Sequence, residues 1–213
     1  SNLVIYFFKY DFSPAQWQAN YTLFNTFGGG FQILAMMILF PLLRKFMNTM
    51  KIFYVSFTMA MVGYVILLGI AFSGTQQVYL LLIPAFLIMS AIGMLNVIVT
   101  VFLANTVDYG ELRNHRRDES VICSMQTFVY KLASGIAALA ASLVISIFHI
   151  QKDETAEVLT AIDASSRIGL RMCMTLIPIV VLIIGLIVFR KHYILTDEKL
   201  EEINAQLKAE RNS

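Results

Sequence analysis

The sequence predicts an all-α membrane protein: five complete transmembrane helices preceded by the end of a sixth. Three observations carry this. Of the 213 residues, 58% are apolar and only 14% charged, whereas soluble domains hold nearer a quarter charged residues. Five apolar runs, at about 21–43, 52–72, 79–104, 121–150 and 168–189, each reach the roughly 20 residues that a bilayer core demands. None has the alternating polarity of a barrel strand, and in lipid a helix satisfies every backbone group locally. The net charge of +2 gives no footing for nucleic acid.

Residues 2–12 read as the close of an earlier span, because Leu3 to Tyr10 resembles a helix already under way. Ser1 is not an initiator Met and no signal peptide is visible. The chain is therefore expected to be the C-terminal part of something longer. The first complete span carries Gly28, Gly29 and Gly30. No strand precedes them and no Lys follows, so they imply close helix packing or local flexibility rather than a phosphate loop. Pro41, Pro84 and Pro178 fall within or at the ends of spans, where proline kinks helices. Cys123 and Cys173 lie inside spans, which argues against a disulfide framework.

The connections alternate in charge. Arg44, Lys45 and Lys51 share one; Arg113, Arg116 and Arg117 share another; Arg190 and Lys191 open the tail. The connections around Asp11, around Gly74 and over 151–167 hold only Lys152 and Arg167 as cations. Cations gather on the cytoplasmic side, so the connections 44–51 and 105–119 and the tail are expected there. The bundle takes residues 1–192, and 193–213 form a tail. Thr196 caps a helix whose first turn holds Asp197 and Glu198, and Leu200, Ile203 and Leu207 give it one apolar stripe. This predicts an amphipathic helix lying on the cytoplasmic face.

Lys131 stands about a dozen residues into the fourth run, near the bilayer midplane. An unpaired Lys at that depth costs on the order of 3 kcal/mol or more. It persists where it faces a polar cavity or a counter-charge, which points to transport across the membrane. Helical spacing puts Thr127, Lys131 and Ser134 on one stripe, with Gln126 and Tyr130 beside it. The other face carries Val129, Leu132, Ile136 and Leu139, so the polar face is expected to line the bundle interior. The plain alternative is that Lys131 only ties helices together. His115 has no second His or Cys at ligand spacing, so no metal site is expected; His149 and His192 sit at span ends and read as interfacial.

The stretch 108–131 reads Asp-Tyr-Gly-Glu, a basic loop, Arg117-Asp-Glu119-Ser120, then Gln126-Thr127 with Lys131 four residues on. It resembles the glycoside–pentoside–hexuronide cation symporters of the major facilitator superfamily. Tyr6–Tyr10, Phe40-Pro41 with Arg44-Lys45, and Leu195–Lys199 are similar to further family features, so the resemblance covers almost the whole chain. It implies the C-terminal six-helix bundle of a twelve-helix transporter, with the substrate site at its interface with a missing N-terminal half. The Lys at position 131 then interacts with carboxylates of that half at the cation site, with Thr127 beside it. Gln126, Thr127 and Tyr130 offer directional hydrogen bonds to sugar hydroxyls. Asn96 falls where the family's best-known member stacks a Trp on sugar; an Asn hydrogen-bonds but has no aromatic face, and it could equally be interhelical glue. Asp108, Glu111, Arg117 and Glu119 are implied to form a cytoplasmic gate whose pairs break during alternating access. Asn105 replaces a frequent family Asp.

The reading is a secondary active transporter fragment of a cell membrane, bacterial by resemblance. It couples a sugar, glycoside, pentoside or hexuronide to Na⁺ or H⁺, with membrane lipid as its surroundings and no cofactor. A lipid-type symporter on the same scaffold is the first alternative and would favour an apolar groove beside Lys131. A membrane enzyme built on the His115 loop is the second, although nothing in the sequence calls for covalent chemistry.

Overall fold

The computed structural model describes residues 3–12, 14–74, 77–114, 118–148, 163–193, 199–200, 202–203 and 205–206. Helix α1 (Val4–Phe7) runs into a wide π-helical turn, Phe8–Phe12. Helix α2 (Trp17–Leu34) continues through a second π-helical stretch, Ala35–Leu39, into α3 (Phe40–Phe46). There follow α4 (Thr49–Phe72), α5 (Val78–Asn114), α6 (Glu119–Ile147) and α7 (Ala164–His192). No strand occurs among the described residues. Five stretches are long and apolar enough to cross a membrane: 17–46, 49–72, 78–114, 119–147 and 164–192.

Every expected span is present, and several ends move. The largest correction is at α5, expected to stop at Ala104 and helical to Asn114. At 1.5 Å per residue its 37 residues reach about 55 Å, well beyond a hydrocarbon core of about 30 Å. Polar residues end the apolar run without ending the helix, because Glu111, Leu112 and Arg113 are good helix formers and no proline intervenes. The span expected at 168–189 likewise starts at Ala164 and ends at His192. Pro41 is the second residue after the π-helical stretch. Lacking an N–H, it cannot bond the carbonyl four residues back, and a widened turn accommodates the loss.

The centre of the bundle is α5, which packs against α4 and α2, and α7 packs on α4. The contact face of α4 is Ser56, Ala60, Gly63, Leu67 and Ala71, all buried at helical spacing. Small residues there let the backbones approach, which is how apolar helices associate without water to expel. A Cβ on Gly63 would lie 2.7 Å from Ile88 Cγ1, and one on Gly93 only 2.6 Å from the Gln32 carbonyl oxygen. Of the three consecutive glycines only Gly28 serves close packing, against Met89; Gly29 and Gly30 face nothing within 4 Å.

Two apolar layers fill the unit. One gathers Phe7, Phe8, Phe12, Phe24, Leu170 and Met174 with Ala141, Val144 and Ile145 of α6. The other holds Ile52, Met94 and Ile98 with an aromatic group in which Phe53 and Phe189 lie 4.1 Å apart and Phe102 and Tyr193 4.8 Å. In the tail, the described residues from Lys199 to Gln206 are helical, and Ile203 is buried against Tyr109, Leu112, Tyr193 and Leu200. The apolar stripe therefore docks on the end of α5. Its expected cap, Thr196, with Asp197, Glu198 and Leu207, lies outside the described residues, as does most of the connection 151–167.

Candidate functional site

Helix α6 builds the candidate site. Its buried residues are Ala141, Val144 and Ile145, all near one end. From Glu119 to Leu139 every described residue is exposed except the half-buried Ile122 and Gln126. Lys131 lies twelve residues from Glu119 and sixteen from Ile147, close to mid-helix. The expectation that its face lines the interior of this bundle is corrected: Thr127, Lys131 and Ser134 are exposed and open outward. The cause is packing, since α6 meets the rest of the unit through its far end and, elsewhere, chiefly across a groove with α5.

That groove has a volume of about 530 Å³. Val99 and Leu103 of α5 form one wall, and Ile122, Gln126, Val129 and Tyr130 lie along the other. Gln126 and Tyr130 thus edge an otherwise apolar groove, while Thr127 and Lys131 are not among its lining residues. At 100° per residue the polar positions Gln126, Tyr130, Ser134, Thr127 and Lys131 sweep an arc of about 140° from the groove edge outward. The Thr127 hydroxyl donates to the Cys123 carbonyl at 3.1 Å, so its lone pairs remain to accept.

Asn96, half-buried on α5, shares a helical stripe with Val99 and Leu103. Its own carbonyl accepts from the Thr100 hydroxyl at 3.1 Å. Asn96, Gln126 and Tyr130 therefore belong to the groove side, and Thr127 and Lys131 to the open side of one arc. Asp108 and Glu111 stand one turn apart at the end of α5, half-buried, and Glu119 is the first residue of α6. Only residues 115–118 separate the two helices. The acids expected in a long loop are thus fixed on helix ends, whereas Arg117 and His115 lie outside the described residues. Among the described residues no group of three or more His, Cys, Asp or Glu side chains is placed to hold a metal ion.

One ion pair was not foreseen. Asp11, expected in a connecting loop, sits in the π-helical turn with its side chain 1% exposed and bonded to Arg171 of α7. Arg171 Nε donates to Oδ2 at 2.5 Å and Nη2 to Oδ1 at 2.7 Å. The fork joins the π-helical turn after α1 to α7, at the end of the bundle opposite α3. A charged residue inside an apolar run was the available signal, and Arg171 carries it as plainly as Lys131 does.

Comparison with known proteins places this architecture. A family model described as MFS/sugar transport protein matches residues 1–197. A lactose permease from Lactobacillus delbrueckii subsp. bulgaricus is 28% identical over 210 residues, covering 98% of this chain and 31% of the relative. A raffinose carrier protein from Pediococcus pentosaceus is 27% identical over 206 residues, covering 97% and 30%. An isoprimeverose transporter from Lactiplantibacillus pentosus is 27% identical over 172 residues, covering 76% and 33%. The chain spans about a third of the length of these relatives. Its helices, its mid-span Lys131 and this match agree: the chain belongs to the MFS/sugar transport protein family.

Proposed function

We propose that this chain forms one bundle of an alternating-access carrier that takes up a sugar or glycoside with Na⁺ or H⁺. The observation that carries the reading is Lys131, held mid-helix on an outward-facing polar arc. A charge in that position is stable in a membrane only against a polar or charged counterpart. In a two-bundle carrier that counterpart comes from the opposing bundle, contributed by residues outside this chain. Lys131 and Thr127 act in cation coupling: the ammonium holds carboxylates across the interface and yields them as the cation binds. Gln126, Tyr130 and Asn96 meet sugar hydroxyls on the groove side. Asp108, Glu111, Arg117 and Glu119 close the cytoplasmic end, pairing in one state and parting in the other.

The relatives are named for lactose, raffinose and isoprimeverose, which makes labelled lactose and raffinose suitable probes. The full-length protein, reconstituted in liposomes, should accumulate one of them above equilibrium when a Na⁺ or H⁺ gradient is imposed. Equilibration without accumulation would refute the coupling, and no uptake of either would refute this choice of substrates. A lipid-type cargo is the second reading, favoured by the apolar lining of the groove between α5 and α6. Uptake of a fluorescent lysolipid in place of sugar would select it.

A further inference from the structure

We propose that the cavity where α1, α4 and α7 converge binds one small monovalent anion, a halide or a simple carboxylate, drawn from solution. The proposal is independent of what the protein transports. The cavity measures about 130 Å³ and is lined by Phe7, Asp11, Ala71, Gly74, Arg167 and Arg171 among others. Among its described lining residues the charges do not balance. Both oxygens of Asp11 accept from Arg171, so that carboxylate and that guanidinium are matched. The Arg171 guanidinium also lies over the Phe72 ring, 5.8 Å from its centroid, which fixes it from behind.

Arg167 stands one helical turn before Arg171 on α7 and faces the same cavity. Its Nε is buried and has no hydrogen-bond partner among the described residues. The carbonyl of Ile70, which lines the same cavity at the end of α4, already accepts two hydrogen bonds. It receives the Ser73 hydroxyl at 2.8 Å and the Ser73 N–H at 3.1 Å. Among the described lining residues two guanidinium groups therefore stand with one carboxylate, and the buried Arg167 Nε–H has no acceptor. At about 30 Å³ per molecule the cavity has room for about four waters. Water in the cavity leaves the excess charge, while an anion offsets it and accepts from the guanidinium groups that line it. The volume suits an ion of halide or acetate size and excludes a sugar.

The same chemistry has a second source in this chain. Asp153, Glu154 and Glu157 belong to residues 149–162, outside the described residues and adjoining α7 in sequence. The experiment separates the two. Full-length protein in detergent is melted in sodium chloride, sodium bromide and sodium gluconate at equal ionic strength and pH. A free-anion site predicts a saturable rise of a few degrees in chloride and bromide over gluconate. Arg167→Gln should abolish the rise, and Arg167→Lys should retain part of it. Identical melting in halide and gluconate overturns the proposal, as does a rise that survives in Arg167→Gln. So does a wild type that ignores halide but responds once Asp153, Glu154 and Glu157 are made amides, because the chain then fills its own cavity. If Arg167→Gln fails to fold, the wild-type titration decides: a saturating curve supports the site, and a linear one, as general salt effects give, overturns it.

Discussion

Replacing Gly93 by Ala tests how the central helix is held. A Cβ there would lie 2.6 Å from the Gln32 carbonyl oxygen and 3.3 Å from Gln32 Cγ and Met36 Cγ. An ordinary carbon–oxygen contact is about 3.3–3.6 Å, so α2 and α5 must separate by roughly 0.7–1 Å. The oxygen belongs to helix backbone and cannot turn aside as a side chain would. Such overpacking costs about 1–3 kcal/mol. Gly30→Ala is the matched control: nothing stands within 4 Å of its Cβ, and relief of glycine's entropy in a helix gains about 0.5–1 kcal/mol. Thermal unfolding of the full-length protein, followed by intrinsic fluorescence in detergent, should show Gly93→Ala melting lower than wild type. Gly30→Ala should melt at or above it. Because Asn96 stands three residues on, displaced α5 should also lower sugar uptake. Equal melting temperatures for the two variants would mean that the close approach of α2 and α5 carries no energy.

Three further outcomes are expected. Asp11→Asn breaks a pair whose carboxylate is 1% exposed and should destabilise by about 3–5 kcal/mol, while Asp11→Leu with Arg171→Leu should recover much of the loss in the same melting assay. A single Cys at position 114, the last residue of α5, should resist an impermeant thiol reagent applied outside cells and react in inverted vesicles; rapid outside labelling would reverse the topology. Ile203→Asp removes the tail's buried contact with Tyr109 and Leu112 and should expose the tail to limited proteolysis, with the membrane core left intact.

The spans were legible because apolar runs of bilayer length have few other uses. Their ends were not, and α5 shows why: hydropathy marks where lipid stops, and the helix passes that point through Asp108 to Asn114. The polar arc of α6 was legible from spacing alone. Its direction was not, because facing depends on which neighbours cover a helix, and α6 is covered mainly near Ala141 to Ile145. The Asp11–Arg171 pair joins residues 160 positions apart. Each half was visible as a charge beside or within an apolar stretch, but only the fold brings them together. Gly63 and Gly93 read as ordinary span residues until the helices they face are known.

The coupling role proposed for Lys131 is open to direct test. Lys131→Met in the full-length protein keeps much of the side-chain stem and removes the charge, leaving the carboxylates proposed to face it in mutual repulsion. Insertion should survive, because loss of an intramembrane charge carries no insertion penalty. Gradient-driven uptake of labelled sugar, normalised to carrier in the membrane, is the direct measurement. Concentrative uptake should be abolished in Lys131→Met, with smaller losses in Gln126→Ala and Thr127→Ala. Wild-type accumulation by Lys131→Met would contradict that coupling role.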